Sequence, residues 1–533
     1  MANEELAEIL HKLAFLLELK DENPFKIRAL ENSARILLEE APLDELVASG
    51  KIKQISGFGK GSQTMAMEFL KLGTVNEFEE VKKEFPATIF ELLDVRGLGP
   101  KKIKNLYQEL EISSLTELEY ACNENRLLDL KGFGEKTQQN ILKGITEIKT
   151  NRGKVILPVA QQVAETVIEE LQALRAKNIL AVGQLRRALP VVEKLEFLAQ
   201  NEVAFCKHQS DWESTQEHHY TKKSNGQIAV EVTFSEDNFA HHLLELTGPA
   251  EFVHRLKNSQ GKTEEEIFSH AHQTYLPPET RDFGKILGKR LITEQDIRGV
   301  FHLHTTASDG ANSLEEMVKG ALAQGWEYLG ISDHSQSAFY ANGLKADRLQ
   351  AQKREIQELQ EKYPEIQIFH GIESDILANG ELDYPEKILQ AFDFVIASVH
   401  SQMKMDAETM TKRLCHALEN PYTTWLGHWT GRLLLGRVGF TFDQEKVLRA
   451  AEKHGKGIEL NCNPYRLDVD WQILPELVSR KISVGIFPDA HSAGGLADTK
   501  WGVLMARKAG LGPEHVVNTR TRKEMLSWLQ NRK

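Results

Sequence analysis

From residue 298 onward, seven short apolar runs alternate with amphipathic stretches of 10 to 15 residues. The runs are Val300–His304, Tyr328–Asp333, Ile366–Glu373, Phe394–His400, Thr424–His428, Gly457–Asn461 and Ile482–Asp489. Runs this short suit buried strands, and parallel strands need a crossover of about a dozen residues, usually a helix. The regular alternation therefore predicts an α/β parallel barrel, close to an eightfold (β/α) barrel with one unit missing. In such barrels the functional side chains lie at the C-terminal ends of the strands.

The strand ends supply His302 and His304, Asp309 in the loop that follows, His334, Glu373, His400, His428, and Asp489 with His491. Only the sixth strand lacks one of these residues; it ends in the polar run Glu459-Leu-Asn461-Cys-Asn463. A single strand-end histidine is usually a capping or packing residue, whereas nine convergent donors predict metal binding. His302 and His304 are two apart on a strand and point to one face. Six histidines and three carboxylates exceed the needs of one ion, so two or three divalent ions are expected, with Mn, Zn or Fe as candidates. His416, His454 and His515 fall away from the rim, and His370 has the opposite alternation to Glu373, so these four are expected to be structural.

A cluster of bridged metals lowers the pKa of a shared water and neutralises phosphate oxygens as charge moves to the leaving group. Phosphoester hydrolysis is the first chemistry to consider and amide hydrolysis the second. Arg432 and Arg466 closely follow strand-end residues and are candidate catalytic groups that bind a substrate phosphate.

The first 150 residues read as helical, with three glycine turns: Ile55-Ser-Gly57-Phe-Gly59-Lys-Gly61, Val95-Arg-Gly97-Leu-Gly99-Pro-Lys101 and Leu130-Lys-Gly132-Phe-Gly134-Glu-Lys136. Their first glycines lie 40 and 35 residues apart, an internal repeat of helix, turn and helix. Glycines let the backbone approach a phosphate, and amide groups at the next helix N-terminus donate to it. Three such turns predict DNA binding through the backbone rather than the bases. Residues 1–150 carry 20 basic and 26 acidic side chains, and the whole chain carries a net charge of -12, so the grip is local and modest in affinity. Residues 155–285 mix strand-like runs (Ile179–Val182, Leu195–Leu198, Ile228–Phe234) with helices, and Pro277-Pro278 reads as a linker. No apolar stretch is long enough for a membrane span, and the acidic N-terminus is unlike a signal peptide. Four widely spaced cysteines suit a reducing cytoplasm. Nothing in the sequence points to a protein partner.

Phe301-His-Leu-His-Thr-Thr-Ala-Ser-Asp-Gly310, Ser332-Asp-His334, Gly371-Ile-Glu373, Ser398-Val-His400, Gly427-His428 and Asp489-Ala-His-Ser492 resemble the PHP (polymerase and histidinol phosphatase) domain. The resemblance implies a distorted (β/α)7 barrel with a trinuclear metal centre. One ion would be held by His302, His304, Glu373 and Asp489. A second would share Glu373 with His400 and His428, and a third would take Asp309, His334 and His491.

The whole chain is similar to the bacterial family X DNA polymerases. The order is a helix-hairpin-helix region over 1–150, a nucleotidyltransferase-like α+β palm and thumb over 151–285 and the PHP barrel over 286–533. Asn23-Pro-Phe-Lys-Ile-Arg28 and Gly261-Lys-Thr-Glu-Glu-Glu-Ile267 also fit that family. The palm departs from the family pattern. Gln184 stands at the serine of Gly-Ser, Lys194 and Glu196 replace the Asp-x-Asp, and Glu231 takes the place of the third aspartate. The segment from Asn258 to Thr263 is shorter than in relatives, and Met65 aligns with the lysine that acts as the lyase nucleophile. A lysine ammonium at a metal-ligand position repels Mg²⁺. The resemblance thus implies a metal-dependent phosphodiesterase, a 3′-5′ exonuclease or 3′-end-processing enzyme in DNA repair, with polymerase and 5′-deoxyribose-phosphate lyase activity lost. The alternatives are a small-molecule phosphatase of the histidinol-phosphatase type, an active family X polymerase despite the altered triad, and a non-catalytic DNA-binding scaffold.

Overall fold

The structure, a computed structural model, describes residues 2–39, 43–55, 57–95, 97–128, 130–149, 153–207, 211–222, 228–256 and 259–532. The expected boundary at 150/151 and Asn258 lie outside the described residues. The chain forms two compact units, Met1–Cys122 with Leu127–Ile148, and Asn123–Arg126 with Lys149–Lys533. The segments read as palm and barrel share the second unit.

The first unit is helical, as expected. Each glycine turn leads directly into a helix: Lys60–Leu72 after Gly57-Phe-Gly59, Pro100–Leu110 after Gly97-Leu-Gly99, and Glu135–Lys149 after Gly132-Phe-Gly134. The middle residue of each turn is buried (Phe58, Leu98, Phe133) while the flanking glycines are exposed. Burying one side chain of this size contributes roughly 1.5–3 kcal/mol. It anchors the turn and leaves the glycine backbone facing outward.

In the second unit, a five-stranded sheet comprises β1 (Lys177–Ala181), β2 (Lys194–Gln200), β3 (Trp212–Gln216), β4 (His219–Lys222) and β5 (Ala229–Phe234), in the order β1-β2-β5-β4-β3. The β3–β4 hairpin is absent from the sequence reading. Apart from Trp212, β3 is exposed, so it carries no apolar alternation to detect.

The barrel strands are β6 (Gly299–Leu303), β7 (Tyr328–Ile331), β8 (Gln367–Asp375), β9 (Phe394–Ser398), β10 (Trp425–Leu426), β11 (Gly457–Asn461) and β12 (Val484–Phe487). They hydrogen-bond in sequence order, and each adjacent pair is parallel. The ring nearly closes where His304 N–H donates to Ala490 O at 2.9 Å and Ala490 N–H to His302 O at 3.2 Å. The crossover helix Leu314–Ala323 begins at a capping box made by Ser313 and Glu316, which satisfies its first amides.

The barrel interior has two layers. Phe301, Tyr328, Phe369, Phe394, Trp425 and Phe487 form one buried cluster, and the C-terminal helix Arg522–Gln530 adds Met525 and Leu529 to it. Gly330 makes room for these rings, since a Cβ there would lie 2.2 Å from Phe301. The other layer is the polar one at the strand ends.

Pro277-Pro278 does not open a free linker. Arg281 is buried on Glu264 at 2.8 Å, and Arg507 binds Glu279 at 2.6 Å. Asp282 likewise pairs with Arg187 at 3.1 Å, so this segment is tied into the packed unit.

Candidate metal centre

Strand alternation would place Phe301 and His302 on opposite faces of β6. Instead, His302 has φ 63, and the β6–β7 register shifts between Val300 and Leu303. This local break lets Phe301 join the aromatic layer while His302 and His304 both reach the polar one. Left-handed backbone at a non-glycine residue is costly and clusters at functional sites. Asp489, on the other side of the seam where the ring nearly closes, is a second such residue with φ 52.

All nine predicted donors converge. His302 Nε2 lies 3.1 Å from Glu373 Oε1 and 3.4 Å from Asp489 Oδ1. His304 Nε2 is 3.2 Å from Asp489 Oδ1. Around Glu373 stand His428 Nε2 at 3.0 Å, His400 Nε2 at 3.2 Å and His334 Nδ1 at 2.9 Å. Asp309 meets His334 Nε2 at 3.5 Å and His491 Nε2 at 3.4 Å. The donors form four overlapping groups: His304 with Asp309, His334 and His491; His302 with His304 and Asp489; His302 with Glu373 and His428; and His334 with Glu373 and His400. In these groups Glu373 links His428 and His400 through separate sets, and His304 joins the Asp309 set.

The buried atoms fit divalent cations. His302 Nε2, both ring nitrogens of His304, Asp309 Oδ2, His334 Nδ1 and Glu373 Oε2 are buried and, although close to one another, make no well-aligned hydrogen bond. Unpaired buried polar atoms are expensive, and a set of nitrogen and carboxylate donors turned toward one another suits Zn²⁺, Mn²⁺ or Fe. Burial pushes His304 and His428 down to about 3, helped by neighbouring His491 and Arg466 respectively, which keeps both rings neutral and able to ligate. Burial alone would raise Glu373, but His400, His302 and His334 outweigh it and hold the carboxyl well below its ordinary range.

The polar end of β11 contributes to this centre after all. Glu459 Oε1 lies 2.5 Å from His302 Nδ1, and its Oε2 accepts the His428 backbone N–H at 2.6 Å. Asp375 Oδ1 holds His400 Nδ1 at 2.5 Å. Asn461 donates to Asp489 Oδ2 at 3.0 Å. Such partners fix the tautomer and aim of a ligand. Asp375 lies two residues after Glu373, a spacing that could have revealed it. Glu124, in the short Asn123–Arg126 segment of this unit, also contacts His491 Nδ1.

The two candidate arginines differ in position. Arg466 is buried, with Nε 3.6 Å from Asp489 Oδ2. Arg432 donates to Arg466 O at 3.0 Å, to Asp470 at 2.5 Å and to Leu467 O, which braces the loop that carries Arg466.

In the five-stranded sheet, Glu196 on β2 pairs in register with Glu231 on β5. The Lys194 ammonium lies 2.9 Å from both carboxylates. Burial works against that charge, but the two carboxylates outweigh it and hold the lysine above its ordinary pKa. Gln184 accepts the Glu193 N–H at 2.8 Å. Arg186 grips Glu264 with two nitrogens, and Arg187 binds Asp282 at 3.1 Å.

In the helical unit, Gly57, Gly97 and Gly132 have φ of 82, 90 and 92, a conformation that favours glycine. Gly59, Gly61, Gly99 and Gly134 and the side chains of Lys101 and Lys136 are exposed beside them. Gly59 and Gly99 are the N-caps of the helices they precede.

Comparison with known proteins matches three segments of the chain to families. Residues 301–461 match the PHP domain family, 1–75 a helix-hairpin-helix domain and 89–147 a SAM-like helix-hairpin-helix tandem. The chain is 30% identical to the DNA polymerase/3′-5′ exonuclease PolX of Bacillus subtilis (strain 168), over 99% of this chain and 100% of that one. It is also 34% identical to a probable phosphatase of Acetivibrio thermocellus, over 31% of this chain and 65% of that one. A probable phosphatase of Thermoanaerobacter sp. is 28% identical over 41% of this chain and 89% of its own length. With a relative matched from end to end, a PHP match on the barrel and helix-hairpin-helix matches on the front, the chain belongs to the PolX family of bacterial family X DNA polymerases with a PHP domain.

Proposed function

We propose that this chain is a divalent-metal-dependent phosphodiesterase that trims DNA from its 3′ end, as a repair nuclease does, and that its palm no longer polymerises. The carrying observation is the set of nine converging donors, five of which (His302, His304, Asp309, His334 and Glu373) have buried nitrogen or oxygen atoms that make no well-aligned hydrogen bond. Divalent ions bound there supply a nucleophile at neutral pH and neutralise charge on the phosphoryl oxygens.

The chain's own residues prepare the rest. Glu459 and Asp375 hold His302 and His400 so that each Nε2 faces inward. Burial keeps His304 and His428 unprotonated. Arg466 beside Asp489 can take a non-bridging phosphate oxygen, a charge-assisted bond that strengthens as charge builds there. The exposed glycine turns supply backbone amides for the phosphates of a long strand.

Loss of polymerisation is supported by Lys194, whose ammonium occupies the gap between Glu196 and Glu231. Loss of lyase activity is supported by Met65, whose thioether cannot form a Schiff base. The four free cysteines suit a cytoplasmic setting, and among the described residues no helix is long and apolar enough to cross a membrane.

The test is purified protein with labelled single- and double-stranded oligonucleotides and Mn²⁺, with and without dNTPs. Stepwise shortening from the 3′ end without extension is expected. Because the probable phosphatases match only part of the chain, a small phosphoester is a second substrate class to include. Turnover of small phosphoesters with no action on DNA would favour that reading.

A further inference from the structure

The loop after β7 carries a metal-site donor, His334, and then a single aromatic side chain left bare. Phe339 is 83% exposed, while its neighbours Ala338 and Ala341 are fully buried. The loop is firmly held. Ser337 N–H donates to Asp383 Oδ2 at 2.6 Å and Ser337 Oγ to Asp375 Oδ2 at 3.0 Å. Gly343 N–H reaches Ala338 O at 3.0 Å, and Leu344 N–H reaches His334 O at 2.8 Å. Gly343 packs so closely on Ser335 O that a Cβ there would sit 1.9 Å from it. The exposure of Phe339 is therefore built in by a pinned backbone.

Its neighbour Tyr340 shows how near this loop comes to the metal centre. The Tyr340 ring is centred 6.1 Å from the His334 ring and 6.4 Å from the His400 ring. Arg126 of the same unit lies over Tyr340, 4.2 Å from its centroid. Among the described residues no ring contact is recorded for Phe339, so its faces are free to stack.

We propose that Phe339 is the stacking platform for the terminal unpaired base of a nucleic-acid strand whose last phosphodiester lies at the metal centre. This rests on the phosphodiesterase reading above and narrows its substrate to frayed or single-stranded ends. A phenyl face stacks on any base and rewards a base that has left its duplex, so the preference is for strand state and not for sequence. The exposed glycine turns fit the same ligand, since they bind its backbone.

The experiment compares the full chain with Phe339→Ala and Phe339→Trp on a single strand ending in a normal nucleotide and on the same strand ending in an abasic one. For the normal end, Phe339→Ala should raise KM by roughly five- to 150-fold with kcat nearly unchanged, the loss of one stacked base. Phe339→Trp should restore the parent value, and neither change should affect the abasic end. Equal KM for both ends in the parent, or an unchanged ratio in Phe339→Ala, would overturn the proposal. A separate readout uses a 3′-terminal 2-aminopurine strand in excess EDTA, where no hydrolysis can intervene. The parent should quench its fluorescence on binding and Phe339→Ala should not. Quenching without hydrolysis in the metal-loaded assay leaves the platform standing and removes the nuclease reading. Binding or hydrolysis without quenching removes the platform alone, and absence of any binding removes both.

Discussion

The Glu459 carboxylate lies 2.5 Å from His302 Nδ1 with one oxygen and receives the His428 backbone N–H at 2.6 Å with the other. One side chain thus sets the aim of two donors on different strands. Glu459→Gln keeps the shape but removes the negative charge and one acceptor. Metal affinity should fall roughly 10- to 100-fold, as for other changes behind a metal ligand. Metal titration followed by elemental analysis checks this, with circular dichroism to confirm that the fold persists. Unchanged affinity would show that Glu459 serves packing alone.

Ligand removal should have a larger effect. Gently purified protein should contain two to three divalent ions per chain, and Asp489→Asn or His302→Ala should contain fewer. Phosphodiester hydrolysis should drop by several orders of magnitude in either variant, because bound metal is the source of nucleophile at neutral pH. A parent protein with only traces of metal, and no activation by added Mn²⁺, Zn²⁺ or Fe²⁺, would end the phosphodiesterase reading.

Much of this centre was legible in the sequence because barrel strands are short, buried on both faces and punctuated by their ligands. The expected run Gly457–Asn461 coincides with β11, and Phe394–His400 overruns β9 by two residues. The role of Glu459 was hidden because nothing in local spacing says which carboxylate meets which ring across the barrel, whereas Asp375, two residues after Glu373, carried a readable signal. The left-handed backbone at His302 was hidden too: Phe301 and His302 serve adjacent layers through a kink that pattern reading treats as ordinary strand. The β3–β4 hairpin left no trace because its outward face is solvated.

Lys194 makes a prediction about the palm. With its ammonium 2.9 Å from both Glu196 and Glu231, the carboxylate pair already has its counter-charge. A primed, gapped template with Mg²⁺ or Mn²⁺ and dNTPs should give no template-directed extension. Extension that disappears in Glu231→Ala would mean that the palm is still catalytic.

Glu264 links stability to pH. Burial alone would raise its carboxyl, but hydrogen bonds and charge from Arg186 and Arg281 outweigh that and hold it below the ordinary 4.5. A lowered carboxyl pKa contributes stability that is present above 4.5 and lost as pH falls through the folded value. Urea unfolding from pH 7 to pH 3 should therefore show the parent losing more stability than Glu264→Gln. Glu264→Ala, which strands the fully buried Arg281, should cost about 3–5 kcal/mol at pH 7.

The glycine turns separate grip from catalysis. Gly97 and Gly132 sit at φ 90 and 92 with nothing within 4 Å of a would-be Cβ. The Cβ of a valine there meets no neighbour, so the first cost is conformational, of the order of 1–2 kcal/mol for left-handed backbone, and the turn should relax by re-aiming its amides. Gly57 is a poorer probe, because a Cβ would lie 2.9 Å from Asn32 Nδ2 and disturb packing as well. The double variant Gly97→Val, Gly132→Val should bind long DNA more weakly and degrade it more slowly. It should still hydrolyse bis(p-nitrophenyl) phosphate at the parent rate, since that substrate needs only the barrel. Asp489→Asn should show the reverse, with binding kept and both hydrolyses lost. If the glycine variant processes long DNA as fast as the parent, the hairpins are not the grip, and a phosphatase of small substrates becomes the better account of the barrel.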